Sequence, residues 1–178
     1  NSVLQKIYPN GSGQVAGFTA GTAISSVTGN NIRVALDAYG NILVAAATTN
    51  GFTIARYNAT TGALIASQLT IAAGGSSTSV IGQLYAVSNN KAIMAGYETT
   101  GNTQVVARVN YDAGNTSLSF DTTFGTIGVY AQRPGANITA YAAATYADDR
   151  IYLGGDNGTD PYMTRVFGDA YVTEVAKS

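Results

Sequence analysis

Asn41-Ile42-Leu43-Val44-Ala45-Ala46, then the pair Asn50-Gly51, then Phe52-Thr53-Ile54-Ala55-Arg56-Tyr57-Asn58 is the stretch that decides the fold. Both runs are rich in β-branched, aromatic and small apolar residues. The Asn-Gly between them is a strong hairpin signal, because both residues tolerate positive φ. The same order returns as Lys91-Ala92-Ile93-Met94-Ala95-Gly96 followed by Val105-Val106-Ala107-Arg108-Val109-Asn110. It returns again as Arg150-Ile151-Tyr152-Leu153-Gly154-Gly155 followed by Tyr162-Met163-Thr164-Arg165-Val166-Phe167. Arg56, Arg108 and Arg165 hold matching places, 52 and 57 positions apart. Self-similarity at such a period marks an array of small sheets. The unit is too long for one hairpin and suits a four-stranded blade.

Working outward, Tyr39-Gly40-Asn41 separates a strand predicted over 32–36 from one over 42–47, and Thr61-Gly62 separates 52–57 from 64–70. That is a four-strand meander. The second unit repeats it over 83–87, 92–97 and 104–110 and continues towards Leu118. The third runs over 141–146, 151–154 and 162–167, with Asp148-Asp149 and Asn157-Gly158 as turns. Residues 3–11 fit over 53–61, with Lys6 in the arginine place, so a partial repeat strand occupies 1–12. One domain over 1–178 then divides into repeats at 13–70, 71–118 and 119–178. No stretch keeps apolar residues at helical spacing between caps. The predicted core is Ile42, Val44, Ile54, Ile93, Ala95, Val106, Ile151, Leu153 and Met163.

Composition narrows the chemistry. Charged residues are 11% of the 178, against roughly 25% in ordinary soluble domains, and the net charge is −1. Nothing in that balance attracts nucleic acid or an anionic membrane over a distance. It also offers little colloidal repulsion, so self-association is expected. There is no Cys, His or Trp. A disulfide framework, a Ser-His-Asp triad, a Cys-His pair and an HExxH zinc site are therefore impossible within this chain. No apolar run approaches the roughly 20 residues of a membrane-spanning helix. The opening Asn1-Ser2-Val3 reads as a processed or cut fragment. Abundant Thr and Asn with few charges points to a bacterial surface or secreted β-protein.

Three segments resemble the delta-60 repeat family, a β-propeller-type repeat of bacterial proteins. Residues 37–45, Asp-Ala-Tyr-Gly-Asn-Ile-Leu-Val-Ala, are similar to its "PDGKILVAG"; residues 52–58 are similar to its "FALARYNPDG". Phe120-Asp121-Thr122-Thr123-Phe124-Gly125-Thr126-Ile127-Gly128-Val129 resembles its "LDTTFGTNGVV" and is the most specific of the three. The likeness spans roughly residues 30–170 and implies an all-β, β-propeller-like array of about three four-stranded antiparallel blades. It carries no catalytic assignment. Propellers close with about four to eight blades. Completion is therefore expected either from a missing part of a longer parent chain or from a homo-oligomer, with a dimer forming a six-bladed ring favoured.

Candidate site residues are few. Lys6, Arg56, Arg108 and Arg165 recur once per repeat, which suits a structural arginine better than a ring of cations for an acidic ligand. Asp156 and Asp160 in Asp156-Asn157-Gly158-Thr159-Asp160 are weak calcium candidates, since the segment aligns with hairpin turns and no bidentate Glu follows. A carboxylate pair for glycoside hydrolysis is not indicated. Twelve Tyr suggest either half-buried strand packing or stacking on sugars. Asn10, Asn58, Asn115, Asn137 and Asn157 open sequons at a frequency near chance. Gly74-Gly75-Ser76-Ser77 lacks the strand-to-helix setting of a phosphate loop. The expected function is that of a non-catalytic extracellular or cell-surface structural and adhesion module, without cofactor or metal, working through self-assembly. The alternative is a carbohydrate- or ligand-binding propeller using Tyr and Asn on its loop face.

Overall fold

The computed structural model describes residues 4, 6–12, 15–16, 18, 30–49, 51–72, 79–99, 103–113, 117–132, 139–145, 150–156, 158–166 and 172–176. Their regular structure is all strand. Sheet 1 is the meander β1 (Asn30–Leu36), β2 (Ile42–Thr48), β3 (Gly51–Tyr57) and β4 (Leu64–Ala72), in that spatial order. Sheet 2 comprises β5 (Ser79–Val87), β6 (Lys91–Glu98), β7 (Thr103–Tyr111), β8 (Leu118–Phe120) and β9 (Val129–Gln132). Sheet 3 comprises β10 (Thr139–Thr145), β11 (Ile151–Asp156), β12 (Pro161–Val166) and β13 (Val172–Ala176). Every strand pairing is antiparallel, and no sheet closes on itself.

The ladder register gives the three arginines equivalent places on their sheets. Arg56 lies opposite Leu43, Arg108 opposite Ile93, and Arg165 opposite Tyr152. Side chains alternate across a strand, so each sheet has a front face towards the preceding repeat and a back face towards the next. The back face of sheet 1 (Leu43, Ala45, Phe52, Ile54, Ile71) packs on the front face of sheet 2 (Ile81, Leu84, Ala92, Met94, Val105, Ala107, Val109). The back face of sheet 2 (Ile93, Ala95, Val106, Phe124, Tyr130) packs on the front face of sheet 3 (Ala143, Ile151, Leu153, Val166). The front face of sheet 1 (Ile42, Val44, Ala46, Ala55, Tyr57) is covered by Leu4 and Phe18.

Small residues in the middle strands let the sheets approach. A Cβ added at Gly96 would stand 2.0 Å from the Val80 carbonyl oxygen and 3.0 Å from the Phe52 ring. Phe52 of sheet 1 therefore seats directly over Gly96 of sheet 2. The first strands of successive sheets are neighbours, β1 beside β5 and β5 beside β10. The Arg33 Nε–H donates to the Gly82 carbonyl at 2.8 Å, and the Tyr85 hydroxyl donates to the Ala143 carbonyl.

Two strands escape the sequence pattern. β9 pairs with Gln104–Ala107 while β8 pairs with Val109–Tyr111, so the fourth strand of sheet 2 is split. The Asp121 loop fills the break, and Gly128 returns its carbonyl to the Arg108 N–H at 2.8 Å. Sheet 2 thus runs to Gln132, past the repeat boundary expected at 118, and sheet 1 keeps Ile71 and Ala72. β13 adds a fourth strand to sheet 3 that its sequence did not announce. Met163 departs from the predicted core. Its equivalents Ile54 and Val106 are fully buried under the following sheet, whereas Met163 on the back face of sheet 3 is 50% exposed.

Candidate functional site: the arginine clamps and the faces between sheets

Arg56 is the second-to-last residue of β3, with its side chain wholly buried. A buried guanidinium must be paired and hydrogen-bonded to be tolerated. Its Nε–H donates to Asp37 Oδ2 at 2.6 Å, and its Nη1 donates to the Asp112 carbonyl at 2.7 Å. The other Asp37 oxygen accepts the Tyr39 and Asn41 N–H groups, each at 2.8 Å. One carboxylate therefore shapes the β1–β2 turn and neutralises the arginine. The guanidinium carbon lies 5.7 Å from the Tyr39 ring centre and 5.2 Å from that of Tyr111, and these two rings meet edge to face. Burial and the neighbouring Asp37 charge raise the Tyr111 phenol above its ordinary value, and the Ala38 N–H donated to its oxygen opposes them. Because Asp112 and Tyr111 belong to repeat 2, Arg56 ties two repeats together.

Arg108 repeats the solution with other parts. Its Nε–H donates to Asp121 Oδ2 at 2.6 Å, and its guanidinium carbon lies 4.7 Å from the Phe124 ring centre. Lys91 Nζ reaches the same Asp121 oxygen at 2.8 Å. Thr123 donates its N–H and its hydroxyl to Asp121 Oδ1 at 3.1 and 2.6 Å. Burial alone would push the Asp121 carboxyl up; Lys91, Thr123 and Arg108 outweigh it and hold the group well below the usual carboxylate range. The Asp-Thr-Thr-Phe-Gly element is thus the counter-ion and ring for the repeat arginine. Lys6, in the equivalent place, donates to the Ala59 carbonyl of sheet 1 at 3.0 Å. Arg56 likewise donates to a backbone carbonyl just beyond the following β7, that of Asp112. Arg165 occupies the same register on sheet 3 and is partly exposed.

The remaining candidates fall into structural tasks. Asp156 Oδ1 accepts the Gly158 N–H at 2.9 Å, and Asp160 accepts the Thr159 hydroxyl at 3.1 Å. Among the described residues, no group of three His, Cys, Asp or Glu side chains is placed to hold a metal ion. Asn10 and Asn58 each accept backbone N–H groups two or three residues on, the pattern of Asx turns. Asn115, Asn137, Asn157, Tyr146, Asp148-Asp149 and the Gly74-Gly75-Ser76-Ser77 run lie outside the described residues, as does the side chain of Tyr141. Tyr57, Tyr111, Tyr130 and Tyr162 are buried between sheets or at their edges. Among the described residues, no helix is long and apolar enough to cross a membrane.

One layer between sheets breaks the repeat. Gln104 holds the place that Phe52 holds in sheet 1 and is fully buried. By register, Tyr162 and Thr164 on the front face of sheet 3 stand where sheet 2 has Val105 and Ala107. Neither amide atom of Gln104, nor the Tyr162 and Thr164 hydroxyls, has a hydrogen-bond partner in the protein. Tyr130, close to Tyr162, has its phenol pushed up to about 12, by burial first and the Tyr162 charge second. A buried unmatched polar group costs about 1–3 kcal/mol. Gln104→Leu is therefore expected to raise the unfolding free energy by about 1 kcal/mol in urea titration. A loss of stability would show that the amide is engaged.

The carboxylates of both clamps are engaged by cations and by N–H donors. What the arrangement offers is surface. The chain matches no family model, no curated protein and no solved structure.

Proposed function

We propose that the protein is a non-catalytic structural module, a propeller-like array of stacked blades that works outside the cell or at its surface through self-assembly and protein contacts. The resemblance of residues 120–129 to the delta-60 repeat points the same way. One observation carries the reading. The back faces of sheets 1 and 2 are buried under the next sheet, while the equivalent face of sheet 3 presents Met163 half exposed and Gly154 with no atom within 4 Å of its Cβ position. A face that corresponds to two covered ones and is left open among the described residues, on a chain of net charge −1, favours association. A two-copy ring would set the back face of sheet 3 on the front face of sheet 1, and Leu4 and Phe18 already lie over part of that face.

Sedimentation velocity tests this reading. The protein is expected to associate at micromolar concentration, and Met163→Glu to weaken association at least about tenfold, the effect of roughly 1.4 kcal/mol lost at a contact. A monomer unchanged across the concentration range, for both proteins, removes the proposal.

A further inference from the structure

Among the described residues, the buried carboxylates are those of Asp37, Glu98 and Asp121. Asp37 holds Arg56, and Asp121 holds Arg108 and Lys91. Glu98 differs. It is the last residue of β6 and is 3% exposed, and its enclosed Oε1 accepts no hydrogen bond. No described lysine or arginine forms an ion pair with it. The ladder sets two hydroxyl side chains beside it. Ser79 is its register partner on β5, and Thr103 its register partner on β7. Side chains directly opposite across a ladder share a face. The three therefore form one row on the front face of sheet 2, the next row of that face after Ile81, Gly96 and Val105. Ser79 is 2% exposed, and its hydroxyl also lacks a hydrogen-bond partner. On sheet 1 the register place of Glu98 is taken by Thr48, so the charge is not a shared feature of the stacked sheets.

A buried carboxylate is tolerated when a cation or hydrogen bonds compensate it. Asp37 and Asp121 follow that rule within the chain. We propose that the row of Ser79, Glu98 and Thr103 binds a monovalent inorganic cation, sodium or potassium. The donor set selects the class. Its side-chain donors are oxygens alone, one carboxylate and two hydroxyls, and oxygen donors suit hard cations over transition metals. The charge selects the valence. One carboxylate is neutralised by one positive charge, whereas a divalent ion would leave a buried excess. The ligands are the two atoms that the protein leaves unmatched, Glu98 Oε1 and Ser79 Oγ. Directly opposed side chains start about 4.5–5.5 Å apart at Cβ, a separation that one ion bridges. Solvent reaches the end of this row, because Thr99, the residue after β6, is exposed. The row faces sheet 1 and lies away from the face that carries Met163.

Thermal unfolding of the full chain tests this at constant ionic strength, with sodium or potassium chloride replacing tetramethylammonium chloride, whose cation is too bulky for the row. A ligand that binds the folded state alone raises the melting temperature. At about 0.2 M salt the expected rise is about 3 °C or more. Glu98→Gln is expected to abolish the rise and Ser79→Ala to reduce it. Sodium-23 line broadening reads binding apart from stability. It is expected with the native protein, to be displaced by added potassium if that ion is preferred, and to be lost with Glu98→Gln. Equal melting temperatures in the three salts overturn the proposal, and so does a rise that Glu98→Gln retains. Where Glu98→Gln fails to fold, an undiminished rise in Ser79→Ala overturns it. A larger rise from millimolar calcium, lost with Glu98→Gln, overturns it by making the ion divalent. Arg133 lies outside the described residues. A cation dependence that Arg133→Gln shows and the native protein lacks overturns the proposal by making that arginine the counter-ion. The same salts applied to Met163→Glu keep self-association out of the reading, so the two proposals fail independently.

Discussion

Asp37→Ala is expected to destabilise the protein by about 3–5 kcal/mol, the cost of leaving a buried guanidinium without its counter-ion. Arg56 has its side chain fully enclosed, and Asp37, equally enclosed, is its closest carboxylate at 2.6 Å. Asp112 stands 3.7 Å away but is partly open to solvent, so it substitutes poorly. The same change strips two N–H groups of the β1–β2 turn of their acceptor. The double variant Asp37→Ala/Arg56→Met should recover a large part of the loss, since a buried pair replaced by an apolar side chain is often close to neutral. Arg56 already carries one Nη2 without a hydrogen bond, which favours that recovery. Guanidinium-chloride unfolding of the single and double variants completes the cycle. A single-variant cost under 1 kcal/mol would show that the clamp does not hold the first two repeats together. Arg56→Lys should fail to rescue, because an ammonium cannot bond Asp37 and the Asp112 carbonyl while facing two rings.

The second large effect is an acid transition governed by Asp121. Its carboxyl binds a proton less readily in the folded protein than in the unfolded chain. The unfolded state therefore takes up more protons as pH falls, and stability falls with it. The contribution is complete above the ordinary carboxylate value of about 4 and is lost progressively below it. Asp121→Asn is expected to cost about 3 kcal/mol near neutral pH, since Arg108 is left buried beside a neutral amide. It should also flatten the dependence of unfolding free energy on pH between about 4 and 2. Parallel acid limbs for the two proteins would assign the transition to other carboxylates. Lys91→Met should have a smaller effect in the same direction, because Lys91 is partly solvated and screened.

The two clamps also show what can be read from residues in order. The repeat of Arg56, Arg108 and Arg165 was legible, and its recurrence in every unit was the ground for expecting a structural arginine. Its partners were not. Arg56 takes its carboxylate from the turn 19 positions before it, and Arg108 from the loop 13 positions after it. The aligned position of Asp37 in the second repeat is Val87, so the carboxylate moved while the cation stayed. The Asp-Thr-Thr-Phe-Gly run was recognisable as a motif. Its task, to split the fourth strand and bring Asp121 and Phe124 to Arg108, appeared only in the fold. Gln104 was similarly silent: in sequence it is one polar residue in a strand, and only its complete burial in the fold makes it an unmatched amide.

Local chemistry alone determined that the chain is a succession of short antiparallel meanders. Apolar alternation selects strands, and Gly, Asn and Asp at fixed offsets select the turns, and both act within a few residues. Which face of each sheet is covered was decided by tertiary stacking. Met163 and Val34 have the same sequence credentials as Ile54 and Leu84 and opposite exposure. Burial of a sheet face depends on whether a second sheet lies upon it, and that information is held some fifty residues away, or in another molecule.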